Sequence, residues 1–350
     1  MSGGVDSSTV AALLAAQGHE VIGVTMQLYD QGMAAVRKGA CCAGQDIYDA
    51  QMAAAKIGIP HYVLDYESVF KQEVIEDFAD SYLRGETPIP CIKCNQSVKF
   101  RDLFKVAKDL GADALATGHY VQRKLVNGHS QLHRGADISK DQSYFLFATT
   151  QEQLDYLRFP IGHMSKTQTR ALAAEHGLTV ADKPDSQDIC FVAGGSYSDI
   201  ISKLRPGALD PGDIQLSDGT VIGRHNGIIN FTVGQRRGIG IASAEPLYVL
   251  SINPDKKTVT VGPKEALAAN TLHTKQVNWL AHDISSIDAE IECIVKLRSA
   301  HQGIHATIQL REGSEASVRL HEPYSGITPG QACVMYDGDR VLGGGWITRG

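Results

Sequence analysis

The residues that most directly spell out chemistry are Ser2-Gly3-Gly4-Val5-Asp6-Ser7-Ser8. Gly3 and Gly4 carry no side-chain bulk, so successive backbone N–H groups can turn toward an anion. The apolar run Val10, Ala11, Leu13 and Leu14 predicts a helix whose N-terminal dipole points the same way. Ser7 and Ser8 offer hydroxyl donors in its first turn. Asp6 repels phosphate, so its expected part is to hold a Mg²⁺ that neutralises a departing pyrophosphate. The lysine of a Walker A loop is missing, which disfavours γ-phosphate transfer and favours cutting ATP between its α and β phosphates. A capped glycine turn explains a bare Gly-Gly, but not the whole string.

The second chemical feature is Cys91-Ile92-Lys93-Cys94, preceded by Pro88 and Pro90. Two prolines predict a stiff, non-helical loop that presents its cysteines. Lys93, Lys99 and a helix starting after Asn95 favour a thiolate at Cys94. The pair reads as half a zinc site, a redox dithiol, or a functional pair completed by a distant cysteine. Zinc needs two more ligands, and Cys41-Cys42 are adjacent, a poor spacing for a tetrahedral site. Cys190, between Ile189 and Phe191 after a polar run, is either a core thiol or that distant partner, whereas Cys293 and Cys333 lie on alternating strands and read as core.

The elements that must position these residues change character along the chain. Up to about Leu115, predicted strands Val21–Met26, His61–Leu64 and Ala112–Thr117 alternate with predicted helices over Ala50–Ile57 and Val69–Leu83. That βαβ pattern predicts an α/β, doubly wound parallel sheet with its ligand at the carboxyl ends of the strands. A strand should feed the phosphate loop, yet Met1 stands one residue before it, so the expectation is that the first strand is missing from the given sequence. Helical patterning continues at Asp141–Phe147, Gln151–Leu157 and Thr167–His176. Beyond Arg205 short alternating runs predict strands at Ile228–Val233, Leu247–Ile252, Thr258–Gly262, Ile291–Leu297, Ala306–Leu310 and Ala332–Tyr336. A helix-like break at Lys264–Ala269 splits them. The expected domains are 1–205, 206–264 and 265–350: adenylation, a small central β domain, and a barrel-like β domain.

With 43% apolar residues in a chain of 350, each domain has material for a core. No run approaches the ~20 apolar residues of a membrane span, and no leader is evident, so a cytoplasmic protein is expected. Seven cysteines are too few and irregular for a disulfide scaffold. The net charge of −6 leaves nucleic-acid binding to a local basic face.

Seven motifs in order give the chain a family likeness: the SGGVDSS loop, Pro90-Cys91-Ile92-Lys93-Cys94-Asn95 and the residues after it, Ala116-Thr117-Gly118-His119-Tyr120, Lys140-Asp141-Gln142-Ser143-Tyr144, Asp185 to Phe191, Thr232-Val233-Gly234-Gln235-Arg236-Arg237-Gly238, and Thr328-Pro329-Gly330-Gln331. In these it resembles the tRNA-specific 2-thiouridylases over essentially its whole length. The resemblance implies a cytosolic enzyme that uses ATP and Mg²⁺ to replace the 2-oxygen of the wobble uridine by sulfur in tRNAs for lysine, glutamate and glutamine. It implies a monomer charged by a sulfur donor, either a cysteine desulfurase or a sulfur-relay protein. It places Met1, Ser2, Gly3, Gly4, Val5, Asp6 and Ser7 along the ATP phosphates, with Met26 and Gly118 near the adenine or ribose. Cys190 becomes the persulfide carrier and Cys94 the nucleophile beside the base, the two ending as a Cys94–Cys190 disulfide. Ile89, Pro90, Cys91, His119, Lys140, Asp141, Gln142, Arg298, Ser299 and Gln331 fall at tRNA-contact positions.

Where many members carry Asn-Pro-Asp, this sequence has Ile89-Pro90-Cys91. The third thiol raises the expectation that Cys91, Cys94 and Cys190 hold an iron–sulfur cluster. Two rival functions remain: an ATP-dependent ligase or amidating enzyme acting on a small molecule, which leaves the cysteines and β-rich tail without purpose, and a non-catalytic RNA-binding protein, against which Asp6, Cys94 and Cys190 speak.

Overall fold

The computed structural model describes residues 1–29, 43–185, 189–192, 197–284 and 287–348. The chain forms two compact units, Met1–Val74 with Cys91–Gly194 and Ile75–Pro90 with Gly195–Gly350.

In the first unit, helix α1 (Val5–Ala16) starts directly after Gly4 and is rich in alanine. It stops where Gly18 turns left-handed at φ +84° and its N–H reaches the Ala15 carbonyl. Strand β1 (Gly23–Gln27) lies parallel to β2 (His61–Asp65), Gly23 opposite His61 and Gln27 opposite Asp65, with α2 (Ala43–Ile57) between them in the chain. A second parallel pair joins β3 (Leu115–Ala116) to β6 (Leu157–Arg158). Val5 and Ala12 of α1 pack with Ala53 of α2 and with Ala173, Leu178 and Val180, the alanines letting the elements approach closely. The α/β architecture read from the βαβ pattern is present, its parallel strands paired as two two-stranded sheets. Strand β2 departs from the buried strand expected: Tyr62 is 53% exposed and Val63 37%, because among the described residues β2 pairs along one edge alone.

Three local expectations fail for identifiable reasons. Residues 90–109 are helical (α4), beginning Pro90–Lys93, with a π-helical stretch Cys94–Asp102. Pro90 occupies the first helical position, where the missing N–H has no partner to lose, so the prolines start a helix where a stiff loop was expected. Asp141–Phe147 is no helix but a 3₁₀ turn over Ser143–Leu146. Nor is Ile228–Val233 a strand. After Gly227, at φ +114°, Ile228–Asn230 close a 3₁₀ turn that buries both isoleucines. The hairpin β4 (Val121–Val126) to β5 (His129–Arg134) went unread, although Asn127-Gly128, both left-handed, is a strong hairpin signal. Two further helices, α5 (Gln151–Tyr156) and α6 (Lys166–Glu175), open with complete capping boxes from Thr150/Gln153 and Ser165/Gln168.

The second unit contains a four-stranded sheet ordered β8 (Val221–His225), β7 (Gly212–Gln215), β10 (Thr258–Gly262), β9 (Tyr248–Asn253). It also contains a closed six-stranded barrel: β11 (Ala269–Trp279), β14 (Glu315–Tyr324), β13 (Ile304–Arg311), β12 (Glu290–Lys296), β15 (Ala332–Asp337) and β16 (Arg340–Ile347), which returns to β11. Closure depends on β11 serving two partners. Residues 269–274 pair with β14 and 274–279 with β16, across an irregularity where Gln276 takes φ +51°. Inward alternation buries Val295, Ala306, Ile308, Val318 and Met335 in one core, with Cys293 and Cys333 among them. No helix among the described residues is long and apolar enough to cross a membrane.

Candidate active site

The glycine loop is built by backbone shape and fixed by charge. Gly3 adopts φ +70°, and a Cβ there would lie 2.1 Å from the Asp46 carbonyl oxygen of α2, so only glycine fits. Gly118, from the Ala-Thr-Gly-His-Tyr stretch, packs so closely that a Cβ would come within 2.9 Å of the Asp6 Cβ and the Ser7 nitrogen. Two motifs more than a hundred residues apart therefore meet at the loop. Ser7 accepts the Ser2 N–H at 3.0 Å and stays half-buried, while Ser8 turns into the interior, its hydroxyl fully buried without a partner among the described residues. Of the two expected phosphate-donating hydroxyls, Ser7 alone is accessible. Met1 lies beside β1, its nitrogen donating to the Val24 carbonyl and its carbonyl accepting from Thr25 Oγ1 at 2.6 Å. Met26 is half-buried on β1.

Asp6 is not free. Both its oxygens accept from Lys166 Nζ at 2.8 Å, and Oδ1 also accepts from the Tyr120 hydroxyl at 2.8 Å. Lys166, at the start of α6, also reaches Asp185 at 2.8 Å, and Asp185 is met in addition by Lys140 at 2.8 Å and Arg170 at 3.0 Å. Partial burial would raise the Asp185 carboxyl, but the two lysines outweigh it and hold it down at about 2. Lys183 clamps the loop from behind, donating to the Gly3 carbonyl at 2.9 Å and to Asp46 at 2.7 Å, with Asp49 as a third partner. Neither Lys166 nor Lys183 stood out in the sequence. Each sits in a short polar run without periodicity and has a partner more than 130 residues away, Asp6 for Lys166 and Asp46 for Lys183.

The thiols share one electrostatic neighbourhood. Cys94 is buried at the first residue of the π-helical stretch, while Cys91 and Cys190 keep exposed surface; all three are free. Burial pushes the Cys94 thiol up, with Lys99 offsetting part of the rise and Cys91 adding to it. Burial likewise raises Cys91 against the pull of Lys99. Cys190 is pushed up to about 12, by the protein packed around its sulfur and then by Cys94 and Cys91, against Lys99. The thiolate expected at Cys94 is therefore not favoured in this state, because desolvation outweighs a single half-buried lysine. Phe191 anchors the Cys190 turn by an edge contact with Phe70 at 5.9 Å.

His119 lies in the same neighbourhood, its Nδ1 paired with Thr117 Oγ1 at 2.6 Å and its ring against Phe100 at 5.8 Å. Burial, helped by Lys99, lowers it to about 3, so it is neutral at working pH. Asp141 and Gln142 have structural tasks. Asp141 Oδ1 accepts the Gly135 and Ser143 N–H groups at 3.1 Å, and Gln142 Oε1 accepts the Tyr120 N–H at 2.8 Å. Lys140 points to Asp185.

The remaining expected residues lie in the second unit. Gln331 Nε2 donates to the Thr87 carbonyl at 2.9 Å, tying the segment that ends in Ile89 and Pro90 to the Thr-Pro-Gly turn. Arg298 donates to Thr328 Oγ1 at 3.0 Å, and Ser299 is exposed. Arg236 and Arg237 are exposed, and neither pairs with a carboxylate among the described residues.

Among the described residues no three His, Cys, Asp or Glu side chains converge as a metal-binding group, Cys91, Cys94 and Cys190 included. Cys41 and Cys42 lie outside the described residues. Asp6 fits a Mg²⁺ held chiefly by phosphates and water, as one partly exposed carboxylate at a glycine loop, once Lys166 yields its place.

An α/β unit with a glycine loop and three free thiols, followed by a four-stranded sheet and a closed six-stranded barrel, sets the class of protein by its order of parts. Its three parts match family models: tRNA methyl transferase HUP domain over residues 1–194, tRNA methyl transferase PRC-barrel domain over 199–263, and aminomethyltransferase beta-barrel domain over 269–347. The chain is 59% identical over 357 residues to the tRNA-specific 2-thiouridylase MnmA of Rhodospirillum centenum, covering 100% of this chain and 90% of that protein. It is 58% identical to that of Dinoroseobacter shibae, covering 100% and 92%. The chain belongs to the tRNA-specific 2-thiouridylase family.

Proposed function

We propose that the protein catalyses ATP-dependent 2-thiolation of the wobble uridine in tRNAs for lysine, glutamate and glutamine. The observation that carries this reading is that the unit holding the glycine loop, with Gly3 against Asp46 and Gly118 against Asp6, also carries the free cysteines Cys91, Cys94 and Cys190, in a chain 59% identical to a tRNA-specific 2-thiouridylase over 357 residues. A uracil 2-carbonyl is a poor electrophile whose oxygen leaves badly. Its O2 attacks the α-phosphorus of ATP, pyrophosphate departs, and the O2 becomes an AMP leaving group. Gly3, Gly4 and Ser7 hold the phosphates, and a Mg²⁺ at Asp6 would neutralise the pyrophosphate.

The terminal sulfur of a Cys190 persulfide then attacks C2 and AMP leaves. Cys94 attacks the Cys190 sulfur, the electron pair of the broken S–S bond passes to the base as 2-thiouridine, and a Cys94–Cys190 disulfide remains for a thiol reductant. Burial keeps both resting thiols protonated, which protects them until sulfur and base arrive. The base must leave the anticodon stack to reach such a site. Ile89, Pro90 and Cys91 are assigned to the base. His119, Lys140, Asp141, Gln142, Arg298, Ser299 and Gln331 are assigned to the tRNA, Asp141 and Gln142 by shaping the backbone that meets it. Within the cell the protein acts in the cytoplasm as a monomer charged by a desulfurase or relay protein.

The test supplies unmodified tRNA, ATP and a persulfide donor. Wild type should give 2-thiouridine with stoichiometric pyrophosphate, and Cys94→Ser and Cys190→Ser should each lose about a thousandfold or more in thiolation. Full thiolation by either variant would overturn the assignment.

A further inference from the structure

The second unit carries a loop whose hydrogen-bond donors its own fold leaves unused. Residues 232–247 contain neither helix nor strand, yet they are held at several points. Gln235 Oε1 accepts the Thr232 N–H and its Nε2 donates to the Arg237 carbonyl, both at 2.9 Å. The Gly234 N–H reaches the Val249 carbonyl at 2.8 Å, and the Val249 N–H reaches the Gln235 carbonyl at 2.9 Å, closing the neck of the loop. Ile239 is buried, and Ile241 packs over Gly223 of β8, where a Cβ would come within 2.3 Å of its Cδ1. Beyond the neck, among the described residues, no backbone N–H from Arg236 to Leu247 donates to a protein acceptor. Gly238 and Gly240 are left-handed, at φ +75° and +80°, the backbone feature from which anion-binding concavities are made. An open cleft of about 330 Å³ runs along this stretch, lined by Arg236, Gly238, Ile239, Gly240, Ser243 and Glu245 among others.

The charges beside the cleft are equally unused. Arg236 and Arg237 are exposed and make neither an ion pair nor a side-chain hydrogen bond among the described residues. Arg298 adjoins them, its Nη2 lying 3.6 Å from where a Gly234 Cβ would stand. It donates to Thr328 Oγ1 and meets no carboxylate among the described residues. Glu245 is the one carboxylate on the lining, so three arginines stand against one acid in a chain of net charge −6. A chain of that sign needs a local site of fixed cations to hold a polyanion. Arginine forks match the paired oxygens of a phosphodiester, and backbone N–H groups add donors to the same oxygens. Because Arg236, Arg237 and Ser243 are exposed, the surface suits a continuous chain rather than an enclosed small anion.

We propose that residues 232–247, together with Arg298, form a phosphodiester site that grips the tRNA backbone through Arg236, Arg237 and the unused N–H groups of the loop. The inference rests on the reading above that the substrate is tRNA, and it adds where the second unit holds it. Backbone contacts fix position without reading bases, so the loop sets how tightly tRNA is held and not which tRNA is chosen.

The test titrates unmodified tRNA against the full chain by fluorescence anisotropy, at salt concentrations from about 50 to about 200 mM KCl. The Arg236→Gln/Arg237→Gln pair should weaken binding about tenfold or more at the lowest salt, and should reduce the slope of log Kd against log salt by about 2, one for each phosphate contact. Arg236→Lys/Arg237→Lys keeps the charge and should keep most of the slope. A lysine pair as poor as the glutamine pair would overturn the inference, because shape and not phosphate attraction would be at stake. Lys256→Gln/Lys264→Gln removes equal charge from exposed lysines that have no ion pair among the described residues, and should leave the slope within about 0.5. An equal fall in that control, a wild-type slope in the glutamine pair, or loss of calorimetric ATP–Mg²⁺ binding in place of tRNA binding overturns the inference alone. If wild type binds no tRNA, the functional reading fails with it.

Discussion

The barrel and the phosphate-loop neighbourhood are held by opposite means. In the barrel, inward side chains such as Val295, Ala306 and Ile308 are fully buried, and ion pairs sit outside: Arg311–Asp288 and Arg319–Glu290 have side chains 46–69% exposed, where such pairs contribute little. Around the loop, Asp6, Lys166, Asp185, Lys183 and Asp46 form half-buried pairs, most between residues far apart in sequence, with a smaller core of alanines, valines and Leu178 behind them. Apolar burial resists change because a packed core has no alternative arrangement. A network of charge-assisted bonds can exchange partners when a new charge arrives. The contrast assigns stability to one region and responsiveness to the other.

Both tryptophans of the chain, Trp279 and Trp346, lie in the barrel, so their fluorescence follows that region alone while nucleotide binding follows the loop. The largest separation is expected from Gly3→Ala. A left-handed backbone and a methyl 2.1 Å from a helix carbonyl should destabilise the loop by about 1–3 kcal/mol or displace it, with nucleotide binding lost by calorimetry and the tryptophan unfolding midpoint unchanged. A parallel fall in both signals would break the contrast.

Ile308→Ala should do the reverse. It empties a fully buried site in the barrel at about 2–5 kcal/mol in the urea transition read by fluorescence, with nucleotide affinity within about twofold.

The third contrast is in acid sensitivity. The folded value of His119, about 3, lies below its unfolded value of about 6.5, so between them the unfolded chain binds the extra proton. Stability is therefore full above pH 6.5 and falls as pH drops toward 3, by at most about 1.4 kcal/mol per pH unit. Asp185, held at about 2, adds a second loss from near pH 3.8 downward. His119→Asn should flatten the first window in urea titrations at pH 7 and 5 followed by far-UV circular dichroism. An unchanged slope would place the acid sensitivity elsewhere, for instance at His225 or His301, which burial also lowers.

The gaps between sequence and structure have local causes. Pro88 and Pro90 predict a break because proline is costly inside a helix, and the structure uses Pro90 where that cost is absent. Lys93 and Lys99 predict a presented thiolate at Cys94 because they are near in sequence, but the helix that carries Cys94 also buries it. The Asn127-Gly128 hairpin is legible from its turn chemistry, although the flanking strands carry too many polar residues to show an apolar alternation.

What the sequence determined by itself was the phosphate loop, the order of the motifs, and the passage from α/β to all-β texture. Each is written in contiguous residues, where backbone freedom, turn chemistry and periodicity act directly. Only the tertiary structure decided that Gly118 abuts Asp6, that Lys166 bridges Asp6 to Asp185, that Cys94 is desolvated, and that β11 closes the barrel on two partners. Those contacts join residues up to 160 positions apart, and no local pattern encodes them. Their physical origin is the packing that removes charged and polar groups from water and leaves them only one another to bind.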